Sequence, residues 1–297
     1  MNLVPKVTIG IPLYNQSSNL SAALESVLKQ TCRDFTVIIS DDCSTDNSYE
    51  IAVQFANRDK RIQVIKGEKN KGPILNWYEL SKMAGTPYFM WFTADDLLHP
   101  SYLEKAIEFH EKNFNAVLVY PLTLFMDANS IVSNVHADSD LNTIGLELEE
   151  RLLKIANDTT WCSAVYGVFK SKYLPYIPIQ ERVIGHDQLW LFVSAILGHI
   201  IEIPEVLLFR REVRVETDEQ RLSRYVRWGI YLPTQYSPFA RFAIKHFFAV
   251  LKVKKLSFIT KVKLIKKLTY IFQKRYKLKK KDIFFQFFHD RILHFII

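Results

Sequence analysis

At 297 residues, with 48% hydrophobic and 24% charged residues, the composition is that of an ordinary globular protein. Nine glycines and 11 prolines exclude a low-complexity or disordered chain. The net charge of +8 conceals an asymmetry: residues 218–297 hold 19 Lys/Arg against 4 Asp/Glu, a net of +15, which leaves residues 1–217 at −7. This divides the chain into a body over 1–217 and a basic region over 218–297, the latter suited to an anionic partner. The three cysteines, Cys32, Cys43 and Cys162, have no metal-binding spacing and suit a reducing cytosol better than a disulfide framework.

In chain order, residues 6–11 read as a buried strand and 20–30 as an amphipathic helix with Leu20, Ala23, Leu24, Val27 and Leu28 on one face. Strand 35–40 leads through Ser44, Thr45 and Asp46, all good helix caps, into a helix over 47–57. Strand 61–66, helix 74–84, strand 88–93, helix 101–112 and strand 116–122 follow. Unbroken apolar strands alternating with helices predict a mostly parallel sheet covered on both faces. From 123 to 185 the pattern is irregular, with a helix near 145–157 and a strand near 163–169. A helix over 187–197 and an apolar segment at 200–209 close the body. Beyond Asp218 the chain reads helical and basic, with Ile259, Val262, Ile265, Leu268 and Phe272 recurring between lysines, and an apolar run at 283–288. The N-terminus has no signal-peptide pattern, and the longest uncharged apolar stretch, 188–201, is shorter than the roughly 20 residues a spanning helix needs.

Two strands end in paired carboxylates. The run 35–40 enters Asp41-Asp42, and the run 88–92 enters Thr93-Ala94-Asp95-Asp96. Singly these are turn or capping residues. Their recurrence at neighbouring strand ends, where α/β sheets bind ligands, points to a nucleotide site. Carboxylates side by side repel unless a cation joins them, and hard oxygen ligands suit Mg²⁺ or Mn²⁺ carrying a diphosphate. There is no G-x-G-x-x-G after the first strand and no P-loop, so metal and side chains must hold the phosphates.

In order, PLYN (12–15), SDDCSTDNS (40–48), NKGPILNW (70–77), YFMWFTADD (88–96) and GHDQLWL (185–191) resemble family-2 glycosyltransferases of the GT-A fold over about residues 6–212, the bacterial surface-polysaccharide type above all. That resemblance implies an inverting enzyme that moves a sugar from a nucleotide-diphosphate donor, most often a UDP-sugar, to a hydroxyl of a glycan or lipid-linked acceptor. It assigns Pro12, Tyr14 and Asn15 to the nucleotide pocket, with Tyr14 against the base, and Asp42 to the base itself. Asp95 would lie at the ribose or sugar, Asp96 on the metal, and Asp187 would be the general base. Asp187 also reads as a helix cap, and His186 is the alternative base. Trp161, Arg210 and Arg211 are candidates for acceptor or phosphate contacts. Two departures stand out. The Ala-Arg-Asn run of relatives is replaced by Leu75-Asn76-Trp77, which leaves Asn76 as a candidate and Lys71 as a substitute cation. The Arg-x-His after the last strand is replaced by Phe209-Arg210-Arg211-Glu212.

The basic region is read as a helical appendage that lies on an anionic membrane surface, with nucleic acid disfavoured because no reader motif is present. The expected location is cytoplasmic, peripheral on the inner face of the membrane. Alternatives are a helical bundle that only packs on the body, a non-catalytic nucleotide-sugar-binding or scaffold protein, and a nucleotidyltransferase, which shares the layout but carries a glycine-rich loop at its first strand.

Overall fold

The computed structural model describes residues 5–136, 140–211 and 238–279, with isolated positions at 217, 219, 220, 223, 226 and 283. Four strands, β1 (Val7–Leu13), β2 (Phe35–Asp41), β3 (Ile62–Lys66) and β4 (Tyr88–Trp91), pair in parallel in the order β3-β2-β1-β4. Helices α1 (Leu20–Leu28), α2 (Ser48–Arg58) and α3 (Pro73–Lys82) make the crossovers. The chain continues through β5 (Leu97–Leu98), α4 (Tyr102–Lys112), β6 (Ala116–Met126), β7 (Val132–His136), α5 (Leu148–Asp158), β8 (Val168–Lys170), α6 (His186–Leu197) and β9 (His199–Arg211). The sheet order is β3-β2-β1-β4-β8-β6-β9-β5, with β7 against β6. Its long pairings are parallel, and the short strands β5, β7 and β8 supply the antiparallel ones. This is the mixed α/β sheet, covered on both faces, that the strand pattern predicts.

Alternation along the strands feeds two cores. Val7, Ile9, Ile11 and Leu13 of β1 face one core, closed by α1, α2 and α4. Phe89 and Trp91 of β4, Leu118 and Tyr120 of β6 and Phe169 of β8 face the other, closed by α3, α5 and α6. Gly10 sits where Phe89 crosses β1: a Cβ there would lie 2.8 Å from the Phe89 ring, so only glycine admits that aromatic.

The strand expected at 163–169 divides. Ser163–Tyr166 forms a 3₁₀ turn, and only Val168–Lys170 forms a strand, wedged antiparallel between β4 and β6. The helix expected from residue 47 starts at Ser48 without a side-chain cap; Asp46 instead accepts hydrogen bonds from the backbone of Ser17 and Ser48.

Two further helices, α7 (Pro238–Leu251) and α8 (Phe258–Tyr276), contribute Phe242, Ala243, Val250, Leu264, Leu268 and Phe272 to the core that holds α5 and α6. Fully burying a Leu or Phe side chain is worth about 1.5–3 kcal/mol. That drives α8's apolar stripe onto the body and corrects part of the periodicity reading. Leu268 and Phe272 point to the core, not to a membrane, whereas Ile259 stays 66% exposed. Among the described residues no helix is long and apolar enough to cross a membrane. The apolar run at 283–288, apart from Ile283, and most of 218–237 lie outside the described residues.

Candidate active site

The parallel strands end at one rim. Leu13 at the end of β1 pairs with Asp41, and Asp41 pairs with Lys66 of β3. Just past β1, Asn15 takes the left-handed conformation (φ 52) that asparagine tolerates. Its backbone N–H donates to Ser44 Oγ (3.0 Å), its side-chain amide donates to Thr45 Oγ1 (3.2 Å), and its Oδ1 accepts from the Thr45 backbone (2.8 Å). Gln16 N–H donates to Ser48 Oγ (2.7 Å). These bonds clasp the loop after β1 to the loop after β2, and Tyr14 stands out from the clasp at 45% exposure, a ring with an open face.

Asp42 is buried under the loop that follows β3. Its Oδ1 accepts from Lys71 N–H (2.8 Å) and its Oδ2 from Gly72 N–H (2.9 Å), so it fixes the backbone at the start of α3. Burial raises its pKa, and the two N–H bonds oppose that rise. Asp41 accepts from Ser44 N–H (3.1 Å) through Oδ2, while its buried Oδ1 has no protein hydrogen-bond partner. Asn76 is buried and donates to the Ser40 carbonyl (2.9 Å), tying α3 to the end of β2. Lys71 ion-pairs with Glu79 (2.8 Å), which engages the cation considered as a stand-in for the missing arginine.

Asp95 and Asp96 follow β4, on the segment that crosses to β5 at the far edge beside β9. Asp96 is buried: Oδ2 accepts from Thr93 Oγ1 (2.6 Å), Oδ1 from the Arg211 backbone (2.8 Å), and Arg210 Nε lies 4.0 Å from Oδ2. Burial first, and Asp95 second, push its pKa up to about 7 against the pull of Arg210. Burial raises Asp95 too. The two neighbouring arginines differ in role. The Arg211 guanidinium donates to the carbonyls of Asp95, Asp127 and Ala128 and to Ser130 Oγ, joining the end of β6 to the Asp-Asp segment. Arg210 lies over the Tyr166 ring (4.9 Å) and donates to Ser163 Oγ (2.8 Å) and the Trp161 carbonyl (3.3 Å). Trp161 is 62% exposed with its ring edge-on to Phe125.

No cluster of three or more His, Cys, Asp or Glu groups exists among the described residues. Asp95 and Asp96 are the residues that could hold a metal, and two adjacent carboxylates fit Mg²⁺ or Mn²⁺, ions that take one or two carboxylates and leave the rest to substrate phosphates and water.

Asp187 lies in the first turn of α6. The helix starts at His186 with Gly185 at its N-cap position, so Asp187 is not the cap; its Oδ1 accepts from Gln188 N–H (2.9 Å). Gly185 has φ 75, and a Cβ there would meet the Phe242 ring of α7 at 2.9 Å. His186 sits edge-on to Trp190 (5.1 Å), which belongs to a triangle with Trp77 and Trp91 whose ring centroids lie 5.6 to 5.7 Å apart. Gln188 is locked by Tyr276 Oη of α8 (2.5 Å) and donates to the Ala156 carbonyl (3.3 Å), while Arg275 caps the carbonyls of Ala156 and Thr159. Burial drives the Tyr166 pKa well above the usual tyrosine range, and the Arg210 guanidinium over its ring opposes that rise. Thr93 belongs to the quoted run 88–96, but Ser163, Tyr166 and Tyr276 carry no motif in the sequence. They come to the site through folding alone.

The family model for glycosyl transferase family 2 matches residues 8–165. A Bacillus subtilis (strain 168) protein named as glycosyltransferase EpsE is 34% identical over 38% of this chain and 41% of its own length. One named as teichuronic acid biosynthesis glycosyltransferase TuaG, from the same organism, is 33% identical over 36% of this chain and 43% of its own. The matches thus span less than half the length of these curated relatives. Among solved structures, S. aureus TarS 1–349 in complex with UDP-GlcNAc superposes with a TM-score of 0.66 at 17% identity, over 91% of this chain and 73% of that one, which shows a shared fold. The rim of paired strand-end carboxylates, the GT-A-like sheet and the family match together place this chain in glycosyl transferase family 2.

Proposed function

We propose that the protein is an inverting, metal-dependent glycosyltransferase that moves a sugar from a UDP-sugar to a hydroxyl of a glycan or lipid-linked acceptor in surface-polysaccharide synthesis. The observation that carries this reading is the Asp95-Asp96 pair just past the carboxyl end of β4, where buried Asp96 faces the Arg210 guanidinium 4.0 Å away. The TarS structures with UDP and UDP-GlcNAc, and the naming of TuaG for teichuronic acid biosynthesis, support the donor and product classes.

In this reading residues 1–217 form the transferase domain. Tyr14 stacks on the base, Pro12 and Asn15 shape the loop beneath it, and Asp42 and Asn76 hold the nucleotide side of the rim. Asp96, with Asp95 beside it at the sugar, would hold Mg²⁺ or Mn²⁺. When bound, that ion offsets charge on the departing diphosphate. Arg210, already facing Asp96, adds a second positive charge on the leaving-group side. Asp187 takes the proton from the acceptor hydroxyl as its oxygen attacks the anomeric carbon, and the carbon–oxygen bond to the diphosphate breaks on the opposite face. The basic region, 218–297, keeps the enzyme peripheral at the cytoplasmic face of the membrane, where lipid-linked acceptors are presented.

The test is hydrolysis of a panel of nucleotide sugars with Mn²⁺ and with EDTA. Release of one nucleoside diphosphate that stops in EDTA and in Asp96→Ala supports the reading. Asp187→Asn should lower turnover about 10²–10⁴-fold. Unchanged turnover in Asp187→Asn would move the base to His186. Absence of both hydrolysis and calorimetric donor binding would refute the enzyme reading in favour of a scaffold.

A further inference from the structure

The apolar stripe of α8 is spent on the core, so a membrane contact must use another surface, and the structure offers one. Between α7 and α8 the chain turns through Leu251 to Phe258. At this turn Phe258 is 75% exposed and Ile259 66%, with Leu251 also exposed. The turn is held in shape: Ser257 Oγ accepts from Thr260 N–H (3.1 Å), and Lys261 Nζ donates to the Leu251 carbonyl (2.8 Å). From Ile259 an outward stripe runs along α8 at helical spacing through Lys263, Lys266, Tyr270 and Lys274, all exposed.

We propose that this turn and stripe form a docking surface for an anionic lipid bilayer, with Phe258 and Ile259 inserting between headgroups and the lysines meeting lipid phosphates. The proposal rests on the peripheral-membrane part of the reading above and names the surface that serves it. Charge selects the partner. Residues 238–279 contain 13 Lys/Arg and no Asp or Glu. Lys252, Lys254, Lys255, Lys263, Lys266 and Lys274 have no acidic partner among the described residues. A second copy of the chain pairing through this same face would bring like charge to it and be repelled. Nucleic acid would reward the lysines but not an aliphatic Ile259 beside Phe258, whereas a bilayer rewards both. A groove of about 650 Å³ between α5 and α8, with Leu153, Tyr270 and Ile271 as its apolar lining and Lys154, Asn157, Asp158, Lys266 and Lys267 as its polar one, opens beside the same stripe and gives an acyl chain a place to lie.

The experiment uses the full chain with vesicles of phosphatidylglycerol and phosphatidylcholine, and of phosphatidylcholine alone. Wild type should co-sediment only with the anionic vesicles. Phe258→Glu with Ile259→Glu should weaken that binding at least about tenfold, with thermal unfolding and donor hydrolysis intact. Lys29→Gln with Lys60→Gln makes the same change in net charge away from α7 and α8 and should leave binding as it was. In Phe258→Trp, the new indole should shift its emission to the blue on anionic vesicles. Binding that the Glu pair leaves intact would overturn this surface while sparing the membrane reading. No vesicle binding by a chain that still hydrolyses donor would overturn both and leave the enzyme reading standing. Binding competed away by duplex DNA, with no emission shift, marks a general polyanion site and overturns the proposal as well.

Discussion

Gly185 offers a sharp test of how the candidate base is placed. It stands at the N-cap position of α6 with φ 75, two residues before Asp187, and its α-carbon faces the Phe242 ring of α7. In Gly185→Ala a left-handed alanine costs about 1–2 kcal/mol. The new methyl would lie 2.9 Å from Phe242 Cε2 and 3.0 Å from Cδ2, inside van der Waals contact, so the ring or the helix must shift. Overpacking of this kind typically costs about 1–3 kcal/mol more. The sum, about 2–5 kcal/mol, should lower Tm by roughly 4–20 °C for a chain of this size without preventing folding at low temperature. If α6 yields rather than Phe242, Asp187 moves with it, and a displacement near 1 Å should cut kcat about 100-fold while donor KM changes little. Thermal unfolding and kinetics of Gly185→Ala, Phe242→Leu and the double variant separate the terms. The double variant should recover the steric part and keep the backbone part. Strictly additive effects would show that the ring contact is not felt, and an unchanged Tm in Gly185→Ala would refute the whole account.

Arg210→Met removes a positive charge beside Asp96 and should tighten Mn²⁺ binding to the donor-free enzyme by about 1 kcal/mol, roughly fivefold, while lowering turnover; weaker Mn²⁺ binding in calorimetry would contradict the charge balance described for the Asp-Asp pair. Tyr276→Phe strips the hydroxyl that Gln188 Oε1 accepts and should cost about 1–2 kcal/mol of stability, with kcat falling more than donor KM changes; kinetics identical to wild type would detach α8 from the site. His110 and His246 are buried, each with one ring nitrogen against a carbonyl (Val168 and Phe242) and the other without a partner. Burial lowers their pKa values to about 4 and about 3, below the ordinary value near 6.5, so the unfolded chain binds more protons in that interval and stability falls as pH drops through it. At pH 5 each histidine should cost about 2 kcal/mol relative to neutral pH. A Tm that stays flat from pH 7 to pH 5 would exclude this, and His110→Gln with His246→Gln should flatten a slope that is present.

The parallel half of the fold was legible because its strands are unbroken apolar runs and its crossovers are amphipathic helices, both short-range signals. β8 was not, because three residues cannot display a period, and the 3₁₀ turn before it supplies the apolar residues that lengthened the expected strand. At the candidate site the same division holds. Asp42, Asp95, Asp96 and Asp187 announce themselves by motif, but what each carboxylate touches depends on distant chain. Asp96 meets Arg210 and the Arg211 backbone across 114 and 115 residues, a pairing set by β5 running beside β9. Lys71 is a cation near the right loop in sequence, yet folding pairs it with Glu79 one helix face away.

The basic region shows most clearly what periodicity can and cannot say. A stripe of apolar residues at helical spacing states that one face of α8 avoids water, and lysines between them state that another face seeks charge. Neither says whether the dry face meets protein or lipid. Here the choice was made by α5 and α6, whose own apolar faces needed cover: Leu264, Leu268 and Phe272 fill that core, and Arg275 and Tyr276 then reach the carbonyls and Gln188 beside Asp187. Helix α8 therefore packs against the start of α6 through Tyr276 and Gln188, beside Asp187, and of its own surface the exposed turn and lysine stripe are what is left for the proposed membrane contact.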